Sequence, residues 1–138
     1  MKNILSTALF LLSTVVFSQE KPMHKIDVEL KICLAQDENK STTKMAQCFE
    51  NALAEWDLEL NATYKVLQSK LDSSAKKKLV DAQRQWIKFK DSEIALIEAT
   101  YGKAKGTSYR IIRIDKVLNI TRTRTEALQT LLVDLQKM

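Results

Sequence analysis

Turn-forming and reactive residues are scarce in this chain. Its 138 residues include two glycines, one proline, two cysteines and one histidine. With so little turn chemistry, and with Leu, Ala, Lys, Glu and Gln plentiful, helix formers dominate and an all-α fold is expected. One histidine (His24) and no Cys-x-x-Cys pair make zinc a poor prospect. No Glu-x-x-His pair supplies the di-iron pattern of helical bundles. A Gly-rich phosphate loop and a Gly-x-Ser-x-Gly elbow are missing as well. Nothing here supports an enzyme, and neither a metal nor a cofactor is expected.

The N-terminus stands apart from the rest. Lys2 gives a positive start, Ile4 to Phe17 is nearly uninterrupted apolar sequence, and Val16-Phe17-Ser18 suits a cleavage point. We read residues 1–18 as a secretory signal peptide and residues 19–138 as a single domain. A membrane anchor is the alternative, but the stretch falls short of the roughly 20 residues a spanning helix needs. After cleavage no membrane span is expected, and the protein is placed in the periplasm or outside the cell.

Cysteine usage agrees with export. Cys33 and Cys48 are the only thiols, and an even count outside the cytosol is most simply one disulfide. Closing a loop of about 15 residues stabilises by roughly 3 kcal/mol in the chain-entropy model. Charge names no partner. The formal net charge is +5, and removing Lys2 leaves 21 basic against 17 acidic residues, too mild and too dispersed to point to nucleic acid.

Apolar periodicity divides the mature chain into four helices. Ile26 to Gln36 suits a short helix, with Asp27 and Glu29 in the turn where the dipole favours them. From Thr43 to Leu71, Met45, Cys48, Ala52, Trp56, Leu60, Tyr64, Leu67 and Leu71 recur at steps of three and four on one face. Ser73 or Ser74 can cap a third helix running to Tyr101, with Leu79, Ala82, Trp86, Phe89 and Leu96 as its stripe. Both glycines lie in Gly102 to Ser108, the clearest loop in the sequence. Thr107 or Ser108 then caps a last helix whose stripe of Ile111, Ile114, Leu118, Thr121, Thr125, Leu128, Leu132 and Leu135 is a heptad, expected to lie nearly antiparallel along its neighbours. The result is a small up-down bundle of three long helices plus one short N-terminal helix tied by the disulfide. The last heptad would also fit a dimer seam, so a monomer or weak dimer is expected.

Polar residues interrupt these stripes at helical spacing. Asp57, Asn61 and Tyr64 lie beside Trp56; Arg84 and Asp91 flank Trp86; Thr121 and Arg124 break the last stripe. Such residues on inward faces are usually a satisfied polar core. Pairing of Arg84 or Arg124 with Asp57 or Asp91 across helices is therefore expected.

These residues together resemble the LprI-like lysozyme inhibitors, a family of exported helical domains. The shared pattern is an early Cys (Cys33); Thr42 and Thr43 before Cys48; Trp56, Asp57, Leu60, Asn61, Tyr64 and Leu67; Ala82, Gln83, Arg84, Trp86, Ile87, Phe89 and Asp91; and Thr121 with Arg124. It covers about Asp27 to Leu128. Lys90 stands where the family usually has Arg, keeping charge but losing the planar fork. Ile94 stands in the region of a second Cys pair that many members carry, and no Cys follows Cys48.

The resemblance implies that the protein binds and blocks a muramidase without catalysing a reaction. An inhibitor can insert a loop into a glycosidase cleft, where Lys, Ser or Tyr would meet the two catalytic carboxylates. Lys103, Lys105, Thr107, Ser108 and Tyr109 form the segment with that chemistry. Against this, many animal lysozymes are basic, so long-range steering would be lacking. The alternative is a non-catalytic envelope module that binds or scaffolds a different protein or cell-wall partner.

Overall fold

The computed structural model describes residues 22–102 and 106–137. The expected signal peptide, Lys103 and Lys105 lie outside the described residues. The elements are helix α1 (Lys25–Ala35), a 3-10 turn (Asp37–Asn39), α2 (Thr42–Lys70), α3 (Ser73–Tyr101) and α4 (Ser108–Lys137), with no strand among the described residues.

Each start and stop has a local cause. His24 caps α1, its Nδ1 accepting from the Ile26 N–H at 3.3 Å. Asn39 of the 3-10 turn donates to the Cys33 carbonyl at 2.9 Å, reinforcing the long 3.4 Å bond from the Gln36 N–H at the end of α1. Ser41 caps α2 through Lys44. Asp72, rather than Ser73 or Ser74, caps α3, its Oδ1 accepting from the Ala75 N–H at 2.8 Å. A carboxylate there also opposes the unfavourable meeting of Lys76, Lys77 and Lys78 with the helix dipole. At Gly102 a Cβ would lie 2.5 Å from the Glu98 carbonyl oxygen, and Gly106 has φ +122°, so both glycines of the connection are needed where they stand.

Helix direction is read from the contacts. Glu50 meets Arg110 at 2.6 Å and Glu59 meets Gln129 at 2.9 Å, so α2 and α4 run parallel. Glu98 meets Arg113 at 2.6 Å and Gln83 meets Arg124 at 3.0 Å, so α3 runs antiparallel to α4. The main seam of the bundle is therefore a parallel one, against the antiparallel lie expected for α4. Its cause is the length of α3, which returns the chain to the end where α2 began. A heptad stripe serves a parallel neighbour as well as an antiparallel one.

Two clusters fill the core. Ile26, Ala52, Trp56 and Leu118 are buried at one end, where the Cys33–Cys48 disulfide ties α1 to α2 across 5.9 Å between Cα atoms. Leu60, Leu67, Leu79 and Leu128 are buried at the other. The stripe read on α4 faces this core, with Ile114, Leu118, Thr121, Thr125 and Leu128 all buried. Thr121 and Thr125 donate within α4 to the Val117 and Thr121 carbonyls at 3.1 and 2.9 Å, and Thr125 also reaches the Trp56 carbonyl of α2 at 3.5 Å.

α3 differs from its expected stripe. Leu79 and Ile97 are buried, but Phe89 is 52% exposed, Leu96 60% and Ile87 45%. Because α2 and α4 close on each other, α3 packs mainly on the flank of α4, and its wide apolar surface is only partly covered.

Candidate functional site

The polar residues singled out in the sequence divide into three groups. Trp56 is fully buried and its Nε1 donates to Asp27 Oδ1 at 3.1 Å. The same carboxylate oxygen lies 3.3 Å from Arg122 Nη1 on α4. Arg122 also donates to Asn119 Oδ1, and Asn119 donates to Asp115 on its own helix. The His24 ring stacks on the indole with centroids 4.3 Å apart. This network joins α1, α2 and α4, and its Asp27 and Arg122 were not read from the sequence as partners. A usable signal existed, since a buried indole N–H needs an acceptor.

The second group bonds locally or faces solvent. Asn61 donates to the Asp57 carbonyl at 2.8 Å and to Asp57 Oδ2 at 3.3 Å, all within α2. Tyr64 accepts from Gln68 one turn on. Arg84 is exposed and 4.0 Å from Asp81 on the same helix, and Asp91 is exposed as well. The expected cross-helix pairing of Arg84 or Arg124 with Asp57 or Asp91 is not formed among the described residues. Burying such pairs costs desolvation, and α3 has open surface on which Arg84 and Asp91 stay hydrated.

Arg124 forms the third group alone. Its Nε donates to Gln83 Oε1 at 3.0 Å across the α3–α4 interface. Its Nη2 is shielded from solvent without a hydrogen-bond partner. Burial draws its pKa down from the usual arginine value.

At the α3–α4 connection, Thr107 and Ser108 are exposed. Tyr109 is half-buried, its ring 6.3 Å from that of Tyr101. These rings with Glu98, Gly102, Arg110 and Arg113 line a hollow of about 300 Å³ at the base of the connection. Arg110 and Arg113 are both paired, to Glu50 and Glu98. Lys116 sits over the Tyr101 ring, 5.4 Å from its centroid. Thr107 and Ser108 thus present their hydroxyls beside firmly held flanking residues. Among the described residues no group of three or more His, Cys, Asp or Glu side chains could hold a metal ion, and no helix is long and apolar enough to cross a membrane.

Comparison with known proteins adds a family and a neighbour. The model of the lysozyme inhibitor LprI family matches residues 33–128. The chain is similar to a crystal structure of an uncharacterised protein from Burkholderia thailandensis, with 28% identity and a TM-score of 0.78. That match covers 85% of this chain and 58% of the other, so this chain spans little more than half the length of its neighbour. No curated protein matches it.

Proposed function

The chain belongs to the LprI family of lysozyme inhibitors, and from that premise we propose that it is an exported, non-catalytic protein that binds and blocks a muramidase. The family match over residues 33–128 carries the reading. The Cys33–Cys48 disulfide supports an oxidising compartment. As the part that enters the enzyme's cleft we propose the segment from Lys103 to Tyr109. Two lysines and two hydroxyls there suit a cleft that must hold two carboxylates. The Tyr101–Tyr109 pair and the Arg110–Glu50 and Arg113–Glu98 ion pairs hold the residues that flank the connection, which supports this choice.

Lysis of bacterial walls, followed as loss of turbidity, tests this. The purified mature protein is expected to slow at least one muramidase type at micromolar concentration. Replacing Lys103 and Lys105 together by Ala is expected to weaken inhibition about tenfold without changing the melting temperature. No slowing with any of several muramidase types would sink the reading and leave the envelope-binding module in its place. Unchanged inhibition by the double variant would move the contact away from the connection.

A further inference from the structure

The flank of α3 that α4 leaves uncovered is more than loose packing. Two hollows of about 460 and 440 Å³ lie between these helices and share Asn119 and Ile120 in their walls, so they form one groove. Trp86, Phe89 and Leu96 contribute from α3, Ile120 and Ala127 from α4. Arg124 brings a cation into the mainly apolar first hollow, while Glu93, Asp115 and Lys116 line the second.

That cation is unbalanced. Among the described residues no carboxylate lies within ion-pair distance of Arg124, and its only side-chain bond is to the neutral Gln83. Nη2 is both out of water and unbonded. A guanidinium with an idle donor in an apolar setting is costly unless a charged acceptor reaches it. Lys90, held over the Trp86 ring at 5.0 Å, adds positive potential at the same end. At the other end Asp115 is occupied by Asn119.

We propose that the α3–α4 groove docks a partner-protein segment carrying an acidic side chain between apolar ones. The carboxylate meets the Arg124 guanidinium where that side chain lines the groove, and the flanking side chains cover Phe89, Leu96 and Ile120. Charge selects this occupant over a second copy, because a chain of net charge +5 gains nothing by approaching itself. The inference goes beyond the inhibitor reading and does not depend on it.

Two blocked amphipathic helical peptides serve as probes, one with a single glutamate between leucines at helical spacing and one with glutamine in its place. Trp86 lies in the groove while Trp56 is fully buried, so tryptophan emission follows occupancy of the groove. The glutamate peptide is expected to bind at least tenfold tighter than its glutamine twin, and Arg124→Gln is expected to erase the difference. Phe89→Ala should weaken both peptides. Equal binding of the two peptides, binding of neither, or a preference that survives Arg124→Gln overturns the proposal. So does a wild-type dimer in sedimentation that Leu96→Lys dissociates, since a second copy would then fill the groove. Should Arg124→Gln fail to fold, Arg124→Lys replaces it, and the same preference is expected to fall with the loss of the planar fork. No muramidase enters this titration, so its failure leaves the inhibitor reading standing, and failure of the turbidity assay leaves the groove standing.

Discussion

Asp27 and Arg124 show how one charge can be fixed by the fold and another left over by it. Asp27 serves two donors on different helices, the Trp56 indole and the Arg122 guanidinium. Asp27→Ala strands both, and with a charged hydrogen bond lost in a largely buried place the cost is about 2 kcal/mol. Calorimetry should show the melting temperature falling by roughly 8 °C, at about 4 °C per kcal/mol for a domain of this size. Asp27→Asn keeps an acceptor for the indole and should recover about half of that loss. Arg124→Met is expected to behave in the opposite way. It removes a partly desolvated charge that has no counterion among the described residues while keeping much of the side-chain volume, so stability should hold or rise. A melting temperature several degrees below wild type would show that Arg124 is held by something other than Gln83. The sequence named Trp56 and Arg124 but not the partner of either, because periodicity places residues on faces and says nothing of which face meets which. Asp27 reads from sequence as a first-turn acid that complements the helix dipole, a role that by itself calls for no partner on another helix.

At the scale of elements, the stripes of α2 and α4 were legible and that of α3 was legible only in part. Trp56, Leu60 and Leu67 on one helix and Leu118, Thr121, Thr125 and Leu128 on the other are buried as their spacing requires. Phe89 and Leu96 carry the same spacing and remain exposed. The difference is one of supply, since an amphipathic face needs a neighbour to cover it, and the parallel meeting of α2 with α4 leaves α3 the side of one helix. Thr125 follows from the same seam. Its hydroxyl donates to the Thr121 carbonyl at 2.9 Å and reaches the Trp56 carbonyl of α2 only at 3.5 Å, and helical carbonyls can bond the backbone without it, so Thr125→Val adds apolar contact at little polar cost. A gain of up to about 1 kcal/mol in denaturant unfolding is expected, and a loss of that size would mean that the long bond to the Trp56 carbonyl helps hold α2 to α4. Native-state hydrogen exchange should rank the elements. Amides of α3 between Ala82 and Leu96 are expected to exchange faster than those of α2 from Ala52 to Leu67, because less apolar contact holds them.

For the whole molecule, charge decides how an inhibitor of this kind could work. The chain carries +5 formally and loses only Lys2 with the expected leader, so encounter with a basic muramidase is opposed at long range and any tight complex must come from short-range fit. Its strongest surface ion pairs, Arg110 with Glu50 and Arg113 with Glu98, are internal and offer the partner no free counter-charge. Association with a basic muramidase is therefore expected to speed up as salt is raised from about 10 mM to about 150 mM, where the screening length shortens from roughly 30 to 8 Å. Stopped-flow or surface-binding rates would measure this. Dissociation should change much less, since contacts at the docked surface are poorly screened. An association rate that falls steeply with salt would mean that an acidic patch of the enzyme meets the basic connection or Arg124 early in the encounter. The site would then be governed by local charge rather than by the net charge of the two proteins.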